Sequence, residues 1–169
     1  MKDYINAKTL EDLICRAIKI KAYIEIVSLT HNVIELYLQY ILEKHIVDSD
    51  GSSSSKLRKK LEILSNNRVY LINYLELCFL FNLIDSDMYE KIKKFNTNRN
   101  DAIHSILKSK PRSISFDKLK ETARLGREIQ LHLSPLKHSK EDIMQILYYF
   151  DYPDKMPEDR NFSASFVEY

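Results

Sequence analysis

The hexapeptide Arg99-Asn100-Asp101-Ala102-Ile103-His104 puts a permanent cation, a titratable imidazole and two short polar side chains in one stretch. A guanidinium grips the non-bridging oxygens of a phosphate and an imidazole moves protons, so these residue types suit phosphate-ester chemistry. His104 follows Arg99 by five residues. That is about 140° around a helix at roughly 100° per residue, which sets the two on adjoining faces. Asn100 and Asp101 precede His104 on its own ridge, where either could hydrogen-bond the ring and orient it. From Lys91 to Arg112 there are seven Lys or Arg and one acid, Asp101. Such a local field attracts polyanions, and Lys94, Lys108 and Lys110 are the expected backbone-binding residues.

The motif needs a helix to hold it. Ile92, Phe95, Ala102, Ile103 and Ile106 recur at helical spacing, so Lys91 to Arg112 reads as one helix with one buried side. The helical neighbours of Arg99 are all apolar, which aims its charge at the packed side. A cation there is costly unless a carboxylate, phosphate or water satisfies its donors. The apolar helix from Tyr23 to Val47 carries a polar stripe, Ser28, Asn32, Glu35 and Gln39. Either this stripe is a solvated face, or Glu35 or Asn32 supplies the partner that Arg99 requires. His31, beside it, reads as a surface histidine. Arg127 to His132 repeats the Arg-to-His spacing, but the first copy is set apart by Asn100 directly after its Arg, by the apolar ridge on which that Arg lies and by its basic flanks.

Arg-Asn-Asp-Ala-Ile-His resembles the Arg-polar-x-x-x-His signature of HEPN domains, helical bundles whose members are often metal-independent endoribonucleases. The resemblance extends over residues 22–133. Within residues 56–107 the order is basic-apolar helix, apolar helix, Leu83-Ile84-Asp85 turn, short amphipathic helix and motif. It implies an all-α, up-and-down, HEPN-like bundle of about five to seven helices. It also implies that Arg99 and His104 are the active residues and Asn100 the auxiliary polar one; Asp101 and Glu35 join them as auxiliary residues on the spacing given above. A homodimer would set two Arg99 and two His104 around one basic cleft. Single-stranded RNA would be cleaved there to a 2′,3′-cyclic phosphate with no metal or cofactor. Membership of a toxin-antitoxin or defence system, with an inhibitory or regulatory protein partner, is a further implication. Toxin members silenced by a nucleotidyltransferase usually carry Tyr two residues after the His, where this chain has Ile106. The alternative is a non-catalytic helical interaction or regulatory module, as in the similar mannitol-operon-repressor-like proteins.

Composition bounds the remaining classes. A chain of 169 residues with two Gly and four Pro favours one helical domain, expected over residues 1–150 with an extended tail over 151–169. A net charge of +2 is too small to make the whole molecule a polyanion binder. Cys15 and Cys78 lie in apolar helical stretches and read as core thiols of a reducing cytoplasm. The start, Met1-Lys2-Asp3-Tyr4, lacks a signal-peptide pattern. No apolar run reaches the roughly 18 residues of a membrane span. The expectation is a soluble cytoplasmic protein. No glycine-rich phosphate loop, Ser-His-Asp order or metal-ligand cluster is visible.

Along the chain, Thr9 is expected to start the first helix, which either breaks or continues through Lys19 to Ala22. The helix from Tyr23 to Val47 is so apolar that it is either central in the bundle or packed on another chain. Asp48 to Ser55 reads as a flexible loop, and Lys56 to Lys60 as a basic helix face. After the Asn66-Asn67 turn, the apolar stretch from Val69 to Phe81 is expected to be buried. Asp85 or Ser86 caps a short helix through Lys94, and Asn96-Thr97-Asn98 is a candidate kink. Pro111 stops the motif helix. Ser115 starts another that reaches Pro135, and a last helix spans Lys140 to Phe150.

Overall fold

The computed structural model describes residues 7–49, 70–107, 115–135 and 138–157. Its regular structure is entirely helical: α1 (Ala7–Lys19), α2 (Tyr23–Ser49), α3 (Leu71–Leu80), α4 (Ser86–Leu107), α5 (Phe116–Leu133) and α6 (Lys140–Asp151), followed by a 3-10 turn, Pro153–Lys155. The expected all-α bundle is the architecture found.

Short-range chemistry fixes the ends of these helices. Ser115 Oγ accepts from the Lys118 N–H at 3.0 Å and Asp85 Oδ1 from the Met88 N–H at 2.8 Å, each satisfying a backbone donor that the first turn leaves open. Ser139 and Asp142 form a reciprocal capping box at the start of α6. The open question between α1 and α2 resolves as a break. Ala22 N–H reaches back to Ala17 O at 2.8 Å and Lys21 N–H to Ile18 O at 3.0 Å, with Lys21 left-handed at φ 57°. Asn82, at φ 54°, closes α3 in the same way. Thr9 is not the cap of α1, which already begins at Ala7.

α2 is the central helix, packed by α1, α3 and α5 and touched by α4. Its Ile26, Ile34 and Leu38 are fully buried, beside Ile14 of α1, Leu75 of α3, Ile92 and Phe95 of α4, and Ile129 of α5. Directions follow from paired contacts. Tyr23 meets Phe116 at 5.0 Å between ring centroids, and Thr30 meets Gly126, so α5 runs parallel to α2. α4 runs back along both, with Lys91 on Glu128 at 3.3 Å and Phe95 against Gly126. α6 descends on α5, tied by Arg124 to Asp151 at 3.2 Å. Beyond α6, Pro153 is buried and Met156 packs on the core, so the start of the expected tail lies on its own domain.

Several expectations are corrected. α4 is one helix running unbroken through Asn96, Thr97 and Asn98. Three residues of middling propensity cost it little beside the buried face of Ile92, Phe95 and Ala102. α2 extends to Ser49, into residues read as loop. α3 buries only Leu71, Tyr74, Leu75 and Cys78, the side facing its neighbours, and leaves Phe79, Leu80 and Phe81 exposed. Cys78 is buried, as expected, whereas Cys15 is only partly covered. The serine-rich loop from Gly51, the basic stretch from Lys56, the Asn66-Asn67 turn, Lys108, Lys110, Pro111 and the tail after residue 157 lie outside the described residues. Among the described residues no helix is long and apolar enough to cross a membrane.

Candidate functional site

The site forms where α4 crosses α2, and a glycine allows the approach. A Cβ on Gly126 would lie 2.5 Å from Phe95 Cε2 and 2.7 Å from Thr30 Oγ1, so α5 brings bare backbone to the point where α2 and α4 meet. Thr30 is buried there, its hydroxyl donating to Ile26 O at 2.7 Å. His31, the next residue, is carried to the edge of that seam, with Glu35 one turn further along α2. From α4, Asn96 follows Phe95, and Arg99 lies one turn beyond it.

Arg99 is half-buried. Its Nη1 donates to Asn100 Oδ1 at 2.8 Å, while its buried Nε has no hydrogen-bond partner among the described residues. No carboxylate stands within ion-pair distance of it among the described residues. Asn100 therefore serves the guanidinium and not His104, contrary to one expectation. The neighbouring acid is Glu35. Burial pushes the Glu35 carboxyl above its usual range, and the Arg99 charge and a hydrogen bond from the Leu71 backbone pull the other way. Of the two stripe residues offered as partners to Arg99, Glu35 is the one coupled to it by charge, and Asn32 is exposed beside His31.

His31 is the residue that sequence reasoning misplaced. It is half-buried, with Nδ1 sealed from solvent and unpartnered among the described residues. Burial first, and the Arg99 charge second, hold its pKa below the ordinary imidazole value, against hydrogen bonds between the ring and the Asn32 and Asn96 side chains, which raise it. Asn96 was also missed. The available signals were the four-residue step from His31 to Glu35 and the three-residue step from Asn96 to Arg99, each placing two polar groups on one helix ridge.

His104 is exposed and has no hydrogen bond among the described residues; Asp101 and Lys94 are exposed on the same helix. The second Arg-to-His copy overturns the simple burial argument. Arg127, not Arg99, is the deeply buried guanidinium, 1% exposed, with Nη1 donating to Gln130 Oε1 at 2.8 Å. Its His132 is exposed, the ring Nδ1 2.8 Å from Glu128 O. Apolar flanks predicted depth poorly because each helix packs on more than one neighbour.

No group of three or more His, Cys, Asp or Glu converges as metal ligands among the described residues. A groove of about 450 Å³ between Tyr40, Lys44, His45, Leu83 and Pro135 includes none of the motif residues. At Arg99 a guanidinium and the Asn100 carboxamide meet, and the His31 ring is near enough to feel the charge. No family model, curated protein or solved structure matches this chain.

Proposed function

We propose that this chain is a metal-independent endoribonuclease of the HEPN type, cutting single-stranded RNA at the Arg99–His104 motif. The observation that carries the reading is the guanidinium of Arg99: half-buried, oriented by Asn100, its Nε without a partner and no carboxylate in contact among the described residues. With Nε buried and Nη1 on Asn100, the remaining outer N–H groups of the guanidinium are the donors left for a phosphate. Arg99 would take the non-bridging oxygens of the scissile phosphodiester and stabilise the charge growing on them. His104, on the adjoining face of α4, would transfer a proton, as base at the ribose 2′-hydroxyl or as acid at the leaving 5′-oxygen. Two copies joined along α4 would double the field of Lys93 and Lys94 over the RNA backbone, Lys91 being paired with Asp87 and Glu128.

The test is cleavage of unstructured RNA in the presence of a chelator. The wild type should release 2′,3′-cyclic phosphate ends at an undiminished rate, and His104→Ala and Arg99→Ala should each lose about 10²- to 10⁴-fold while keeping the wild-type circular dichroism. Undiminished cleavage by folded His104→Ala would end this account.

A second reading is a non-catalytic interaction module of the same fold. It is favoured by the exposed Phe79, Leu80 and Phe81 at the end of α3 and by an imidazole at His104 that no described residue orients. Wild-type protein that cleaves no RNA, but loses self-association on Leu80→Glu, would support it.

A further inference from the structure

Cleavage of RNA by its own 2′-hydroxyl needs two proton transfers, one off the nucleophile and one onto the leaving group. The motif offers one imidazole per chain. We propose that His31 is a second imidazole of the Arg99 anion site, and that it takes the proton of the 2′-hydroxyl while His104 gives one to the 5′-oxygen. The catalytic half of this inference rests on the ribonuclease reading; the anion-site half does not.

Three observations converge on His31. The Gly126 crossing fixes Thr30 and Phe95 against one another, which brings the residue after Thr30 to the side chains one residue and one turn after Phe95. The Arg99 charge is felt at the His31 ring. Both side chains have a buried nitrogen, His31 Nδ1 and Arg99 Nε, with no hydrogen-bond partner among the described residues, and an oxyanion on their outer nitrogens would offset part of that cost through charge. With Nδ1 sealed and without a partner among the described residues, Nε2 is the nitrogen that exchanges a proton. Substrate would have to replace the Asn32 and Asn96 side chains that hydrogen-bond the ring. The groups bearing on the ring are Arg99 and Asn96 from α4 and Asn32 on its own helix; Glu35, coupled to Arg99 and felt by Tyr74 of α3, is the nearby acid. Burial and the nearby cation keep the ring neutral at pH 7, the form that a base requires.

In the reaction, the 2′-oxygen forms a bond to phosphorus as its proton passes to His31 Nε2. The bond from phosphorus to the 5′-oxygen breaks as that oxygen takes a proton from His104. The products are a 2′,3′-cyclic phosphate and a 5′-hydroxyl, with no other reactant consumed.

Two measurements test this on the full chain. In the first, kcat/KM for single-stranded RNA is followed against pH. The wild type should show an acidic limb below the ordinary imidazole value of about 6.5. Folded His31→Gln should lose that limb and about 10²- to 10⁴-fold in rate. A folded His31→Gln within about threefold of wild type, or with the limb retained, overturns the catalytic role and returns the second proton to a partner copy's motif. In the second, the His31 ring is titrated by NMR with and without inorganic phosphate. Phosphate should raise its pKa in the wild type and not in Arg99→Gln; an unchanged ring overturns the anion site, whether or not any variant of His31 folds. Wild-type protein inert on RNA whose His31 still responds to phosphate refutes the ribonuclease reading alone.

Discussion

Gly126→Ala should destabilise this protein, although alanine is the better helix former. In an exposed helix interior the exchange gains about 1 kcal/mol. Here the new methyl would sit 2.5 Å from Phe95 Cε2, 2.7 Å from Thr30 Oγ1 and 3.0 Å from Phe95 Cζ. Ordinary carbon contacts lie about 1 Å further out. Neither neighbour can yield cheaply: Phe95 is a rigid ring with no exposed surface, and Thr30 is equally buried and tied to Ile26 O at 2.7 Å. Overpacking of this kind costs about 1–3 kcal/mol, and two immovable neighbours put the cost in the upper part of that range. The net loss is then about 1–2 kcal/mol, or about 2–8 °C in Tm for a chain of this size. Thermal unfolding followed by circular dichroism measures it. Shortening the ring should relieve the clash, so Gly126→Ala with Phe95→Leu should show a favourable coupling of at least about 0.5 kcal/mol. An unchanged or raised Tm for Gly126→Ala would refute the close approach of α2, α4 and α5 on which the position of His31 relative to Arg99 depends.

Other consequences can be checked on the same protein. Lys21 holds a left-handed conformation at φ 57°, so Lys21→Gly should raise stability by about 1 kcal/mol in chemical unfolding. Burial pushes the Cys78 thiol up to about 12, and its Sγ lies 3.4 Å from Leu38 O. Cys78 should resist alkylation at pH 8 in the folded state and react once the chain is unfolded. Because the His31 pKa is lowered on folding, the unfolded chain binds the extra proton as pH falls through about 6.5. Wild-type stability should therefore fall relative to His31→Gln from about pH 6.5 down to the folded pKa, with no such difference growing above it. A difference that grows toward alkaline pH would contradict the sign.

The local signals in the sequence were sufficient for the helices and most of their ends. Ser115, Ser139 and Asp85 cap through atoms within three residues of themselves, and the apolar period of α1 and α4 matches the faces they bury. The Arg99-Asn100 hydrogen bond joins adjacent residues, so its parts were visible in the motif. The environment of Arg99 was not. Helical period tells which residues share a ridge, but not how far each helix is rotated toward a neighbour distant in sequence. That rotation is set by packing: bare backbone at Gly126 lets Phe95 and Thr30 close on it, which turns His31 from a presumed surface residue into a companion of Arg99. It also makes Arg127, dismissed on its sequence, the most deeply buried guanidinium. Propensity, capping and periodicity act within a few residues and are written in the chain, whereas the meeting of His31, Glu35, Asn96 and Arg99 depends on three helices reaching one point together.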